Sequence, residues 1–198
     1  MRFFNFLKSK NQLKPSIHID ATEYDSWLTF LERGGSTKEW ENLKKECSFV
    51  FEESSVERFE KYKKDSHLNN QRYFKLLADI QKNWSVIYKR NRYTGRYAAR
   101  FESKCLKCIE CYKRMREIDK KYGETTPENA PAFKRLAMLY DKQGQPDAAI
   151  SVCVSALQLG AWGDGMQNRL ARMLKKAGRA PTKEEKELLE NAALKMPY

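Results

Sequence analysis

The sequence predicts an all-α protein: a helical N-terminal region followed by a short array of antiparallel helix pairs. Three observations carry this. Apolar side chains recur at three- and four-residue spacing, hydroxyl–Glu signals that start helices precede several of these runs, and one ten-residue segment is repeated. The segment reads Arg135-Leu136-Ala137-Met138-Leu139-Tyr140-Asp141-Lys142-Gln143-Gly144 and returns 34 residues later as Arg169-Leu170-Ala171-Arg172-Met173-Leu174-Lys175-Lys176-Ala177-Gly178. A period of that length in a helical pattern marks stacked helix-turn-helix units, each of which buries its apolar face only against a neighbour.

Residues 1–15 read as a flexible arm, with Phe3, Phe4, Phe6 and Leu7 ahead of Lys8, Lys10, Lys14 and Pro15. One short apolar turn of this kind gives little membrane affinity. The helical N-terminal region spans 16–95. Ser16 to Asp20 and Phe49 to Phe51 have the character of short strands, but neither has an evident pairing partner, so no sheet is expected. In Ser36-Thr37-Lys38-Glu39 and Ser54-Ser55-Val56-Glu57 the hydroxyl residue and the Glu three positions on can satisfy the free N–H groups at a helix start. With Gly34-Gly35 as a stop, these signals predict helices near 22–33, 37–47 and 55–65. A longer one is expected over 69–92, where Tyr73, Leu76, Leu77, Ile80, Trp84, Ile87 and Tyr88 keep helical spacing.

The third region is 96–198. A second long helix is expected over 96–121, ended by Gly123 and the loop Glu124–Pro131. Tyr97, Phe101, Cys105, Cys108, Tyr112 and Met115 fall on one narrow face at about 100° per residue, which must be buried.

The stretch 130–163 resembles a tetratricopeptide repeat. In that family a large residue, Leu, a small residue and Tyr line the first helix, and Ala, an aromatic and Ala line the second. Phe133, Leu136, Ala137 and Tyr140 match the first set, Gly144 makes the turn, and Ala149, Cys153 and Ala156 occupy the second set. Cys153 stands where an aromatic is usual, and Ala161 where a helix-ending proline is common. The unit 164–197 matches in its first helix, with Leu170, Ala171, Leu174 and Gly178, while Thr182 to Lys195 departs from the pattern and reads as a terminal cap. Residues 96–121 read as the second helix of an earlier, degenerate unit. The resemblance implies a non-catalytic module that binds a peptide or protein surface along the concave side made by the first helices. The side chains it places there are Lys134, Met138, Asp141 and Lys142 from one unit and Asn168, Arg169, Arg172, Lys175 and Lys176 from the next. That groove is mostly basic, so an acidic or C-terminal peptide segment is the expected partner, held by charge-assisted hydrogen bonds. The paired asparagines of the carboxylate-binding members are missing.

Charge favours an anionic partner on other grounds. The net charge of +12 comes from 38 Lys and Arg against 26 Asp and Glu. Residues 1–55 carry eight cations and nine carboxylates, residues 56–123 nineteen and eight, and residues 124–198 eleven and nine. Nearly all the excess therefore sits in the middle third. The alternative reading is a nucleic-acid-binding protein that uses the segment 82–100, which holds six basic residues, no acidic ones and four aromatics. Its candidate residues are Lys89, Arg90, Arg92, Arg96 and Arg100, with exposed rings free to stack on unpaired bases.

Other chemistry finds no support. Cys105, Cys108 and Cys111 lie inside an unbroken helical pattern, where thiolates do not converge on a metal, so buried thiols are expected and no metal or cofactor. His18 and His67 stand apart, Glu52-Glu53 and Glu184-Glu185 read as surface charge, and Gly163-Asp164-Gly165 lacks the strand and lysine of a phosphate-binding loop. No enzymatic activity is expected. No apolar run approaches the roughly 18 residues of a membrane span, and the odd set of five cysteines argues against a disulfide framework. A cytoplasmic protein with no integral membrane association follows from this reading.

Overall fold

The computed structural model describes residues 14–193; the arm expected over 1–15 lies outside these except for its last two residues. The described residues form eight helices and one two-stranded sheet, an all-α architecture. They divide into two units, the first ending at Glu60 and the second beginning at Lys61.

The first unit holds β1 (Ser16–Ile19), α1 (Glu23–Glu32), α2 (Thr37–Glu46) and β2 (Ser48–Phe51). Contrary to expectation the two strand-like segments do find a partner, namely each other. They pair in parallel, with Ser16 opposite Ser48 and Ile19 opposite Phe51. Two helices in the crossover bring the chain back in the same direction, and such a long-range pairing leaves no local signal. Ser36 and Glu39 form the expected reciprocal capping box at the start of α2. Trp40 is buried and stacks on Phe49, ring centroids 5.9 Å apart, with Phe30 and Phe51 at its edges.

The helices expected over 55–65 and 69–92 are one helix, α3 (Ser55–Lys89). The polar run Ser66-His67-Leu68-Asn69-Asn70 suggests a break, but tertiary partners overrule it. Ser66 is buried with its hydroxyl directed at the Lys63 carbonyl, and Asn69 donates through Nδ2 to the Cys111 carbonyl at 2.9 Å. That bond reaches α4 (Gly95–Tyr122), whose buried face carries the Phe101, Cys105, Cys108, Tyr112 and Met115 expected of it. Tyr97 is only half-buried and donates to Asn83 Oδ1 at 2.9 Å. Because α3 beyond residue 60 packs with α4, the second unit begins well ahead of the 95/96 boundary read from the sequence.

Four shorter helices follow: α5 (Pro131–Lys142), α6 (Pro146–Gln158), α7 (Met166–Ala177) and α8 (Lys183–Ala193). Proline opens both α5 and α6, where its missing N–H costs nothing and its fixed φ suits the first turn. Gly123 ends α4 at φ 73°, a left-handed value that glycine adopts freely. Each of α4 to α7 packs on its successor, and α8 also touches α6. Phe133, Leu136, Ala137, Ala149, Cys153 and Ala156 are all buried at these crossings. Ala137 and its echo differ: Ala171 is exposed.

Glu185 is a further correction, because it is not surface charge. It is buried, takes Nη1 and Nη2 of Arg179 at 2.8 and 2.7 Å, and accepts the Thr182 N–H while its own N–H reaches the Thr182 hydroxyl. The spacing Thr182-x-x-Glu185 is the same capping signal seen at Ser36 and Ser54, here coupled to an arginine.

Candidate functional site: the first-helix face and the α3–α4 turn

The expected groove residues separate into three groups. In the first, the cations are already neutralised. Asp141 on α5 accepts from Lys176 at 2.6 Å and lies 3.4 Å from Arg172, both on α7, while Lys134 is paired with Asp164 at 3.3 Å. An anionic ligand would have to displace an internal carboxylate from each of these.

Arg169 belongs to the second group together with Arg135, its counterpart in the echo. Arg135 is half-buried on α5, its guanidinium 5.5 Å from the Trp84 ring centre and its Nη1 3.7 Å from Met138 Sδ. Arg169 is half-buried on α7; burial first, then the neighbouring Arg172, lowers its pKa from the ordinary arginine value. Among the described residues neither pairs with a carboxylate, and the Nε–H of each is buried without a hydrogen-bond acceptor. An uncompensated donor of this kind costs about 1–3 kcal/mol, more when charged. Sequence reasoning passed over Arg135, although its signal was present: both copies of the echo begin with Arg.

The third group lies at the turn between α3 and α4. Lys142 belongs here and not with the groove, since its ammonium sits 5.7 Å from the Tyr93 ring centre while the adjacent Gln143 donates to the Tyr93 carbonyl at 2.7 Å. Lys89, Arg90, Arg92, Arg96 and Arg100 are all exposed around this turn. Of the four aromatics, Trp84 is buried, Tyr93 and Tyr97 are half-buried and Tyr88 is 55% exposed. Asn168 and Lys175 are exposed on α7.

No family model, curated protein or solved structure matches this chain. What it does must therefore be argued from its own side chains.

The thiols are structural in character. Cys105, Cys108, Cys111 and Cys153 are buried, and burial pushes the Cys108 and Cys153 thiols up to about 12. A thiol so far from its thiolate form is a poor nucleophile and a poor ligand. Among the described residues no group of three His, Cys, Asp or Glu side chains is placed to hold a metal ion, and no helix is long and apolar enough to cross a membrane.

Proposed function

We propose that this protein is a non-catalytic interaction module, tetratricopeptide-like in its last four helices, that binds an acidic peptide or protein segment along the face made by α5 and α7. The observation that carries the reading is the pair Arg135 and Arg169. They occupy equivalent positions on successive first helices and are half-buried, and among the described residues neither has a carboxylate partner. A half-buried guanidinium without a carboxylate beside it costs stability, and the Trp84 ring over which Arg135 lies offsets only part of that cost. A carboxylate laid across α5 and α7 would accept from both, and Arg favours that geometry because its planar fork matches a carboxylate. Met138, half-buried one turn on from Arg135, supplies an adaptable apolar contact. Lys134, Arg172 and Lys176 then act as a rim whose internal partners, Asp164 and Asp141, exchange with the ligand. Asn168 contributes at its edge. A cytoplasmic setting suits the reduced thiols.

The test is titration of a fluorescent oligoglutamate peptide with the full-length protein, followed by anisotropy and by Trp84 emission, which Arg135 overlies. Arg135→Gln together with Arg169→Gln should weaken binding at least about tenfold, about 1.4 kcal/mol, with unchanged helicity. Lys183→Gln and Lys186→Gln on α8 serve as controls. Equal affinity for the double variant and the parent would overturn the assignment.

A further inference from the structure

Several described cations of the second unit are neutralised internally, whereas five that cluster at one turn are not. Lys104, Lys113, Arg114, Lys121, Lys134, Arg172, Lys176 and Arg179 each face a carboxylate. At the α3–α4 turn, Lys89, Arg90, Arg92, Arg96 and Arg100 are exposed, and among the described residues no carboxylate pairs with any of them.

Helix stability does not explain this concentration. Lys89 complements the C-terminal end of α3, but Arg96 stands in the first turn of α4, where no acidic residue is present and the cap residue Thr94 makes no side-chain bond. A cation there opposes the helix dipole, which favours Asp or Glu at that end. Mutual repulsion of five cations adds to the cost.

The turn is also held in shape. Asn91 adopts φ 49°, a left-handed value its short polar side chain tolerates, and the Arg92 N–H closes α3 on the Ile87 carbonyl at 3.0 Å. Gln143 holds Tyr93 from α5, and Tyr97 is tied to Asn83. Within this frame the ring of Tyr88 is 55% exposed, 6.3 Å from the buried Trp84 that backs it. The half-exposed Tyr93 lies beside Lys142.

Exposed rings among unpaired cations on a fixed frame suit a ligand that has both phosphates and stackable faces. We propose that the α3–α4 turn binds single-stranded nucleic acid, with Arg90, Arg92, Arg96 and Arg100 on the phosphates and a base stacked on Tyr88. An anionic bilayer would use the charge and seat the ring at its interface, but it offers no planar face to stack on it. A duplex would keep its bases out of the ring's reach. This site uses other side chains than the α5–α7 face, which it adjoins at Trp84, and does not rest on the reading given for that face.

The test uses the full-length protein and roughly 20-nucleotide fluorescent oligo-dT and oligo-U, a duplex of equal length, and phosphatidylserine vesicles. Anisotropy is followed from about 50 to 200 mM salt. The expected result is preference for the single strands, an affinity that falls linearly on a log–log salt plot, and loss of at least about tenfold in Arg96→Glu/Arg100→Glu. That variant should melt no lower than the parent, since Glu complements the α4 N-terminus. Tyr88→Ala should cost about five- to a hundredfold with the salt slope unchanged, because stacking releases no counterions. Arg169→Gln, which weakens the α5–α7 face and leaves the Arg135–Trp84 contact in place, should bind the oligonucleotides as the parent does. Unaltered binding by the Arg96/Arg100 variant, equal affinity for duplex and single strand, or capture by vesicles without oligonucleotide binding would each overturn the proposal.

Discussion

A single residue type does three different jobs in this chain, decided by what surrounds it. Arg179 is spent on Glu185, Arg172 on Asp141, and Arg135 and Arg169 on no carboxylate among the described residues, with Arg135 lying over the Trp84 ring. The sequence shows where the arginines are and, through the echo, that two of them are equivalent. It does not show which are neutralised, because Asp141 meets Arg172 and Lys176 only once α5 and α7 are brought together. Glu185 gives this scale its clearest prediction. Arg179 first, with the Thr182 backbone and hydroxyl assisting against burial, brings its carboxyl down to about 2 from an ordinary 4.5. The folded state therefore holds its proton less tightly than the unfolded chain. The resulting stability is fully present above the unfolded pKa and is lost as pH falls from about 4.5 towards 2. Glu185→Gln should lower the stability at pH 7 by about 1.5–3 kcal/mol and flatten this acid limb. Urea unfolding of both proteins at pH 7 and pH 3 measures it, and equal stability of the two at pH 7 would contradict the assigned role.

Among the elements, the helices of the repeat region are the most legible in the sequence, since α5, α6 and α8 begin at proline or capping signals and α7 repeats the apolar spacing of α5. The buried stripe of α4 is legible for the same reason of periodicity. Hidden from the sequence are the pairing of β1 with β2 and the unbroken course of α3. Both depend on contacts between residues far apart in the chain. The run Ser66 to Asn70 looks like a terminus in the sequence, yet Asn69 finds a partner in the Cys111 carbonyl across the α3–α4 interface. Asn69→Ala should therefore destabilise the second unit by about 1–2 kcal/mol, through loss of the bond and desolvation of the carbonyl left behind. Gln71, two positions on, is exposed, and Gln71→Ala should change stability by less than about 0.5 kcal/mol. Comparing the urea midpoints of these two variants isolates the tertiary bond from any general effect on α3 helicity.

At the scale of the whole molecule the two units are very unequal in what holds them together. Trp40 is the only described apolar residue of the first unit that is buried, whereas all the other buried apolar residues belong to the second. A two-stranded parallel sheet contributes little stability by itself. Trp40, with Phe30, Phe49 and Phe51 packed around its ring, thus stands in for a core. Every residue proposed to meet a partner, from Tyr88 to Lys176, lies in the second unit. It follows that the first unit should unfold at lower urea, giving non-coincident transitions by tryptophan fluorescence and by far-UV circular dichroism. Trp40→Ala, which removes about 3–5 kcal/mol from a buried site of this kind, should abolish the early transition. Oligoglutamate and oligonucleotide binding should survive it, because neither uses a side chain before residue 61. Loss of both activities in Trp40→Ala would instead mean that the first unit is required to form the binding surfaces of the second.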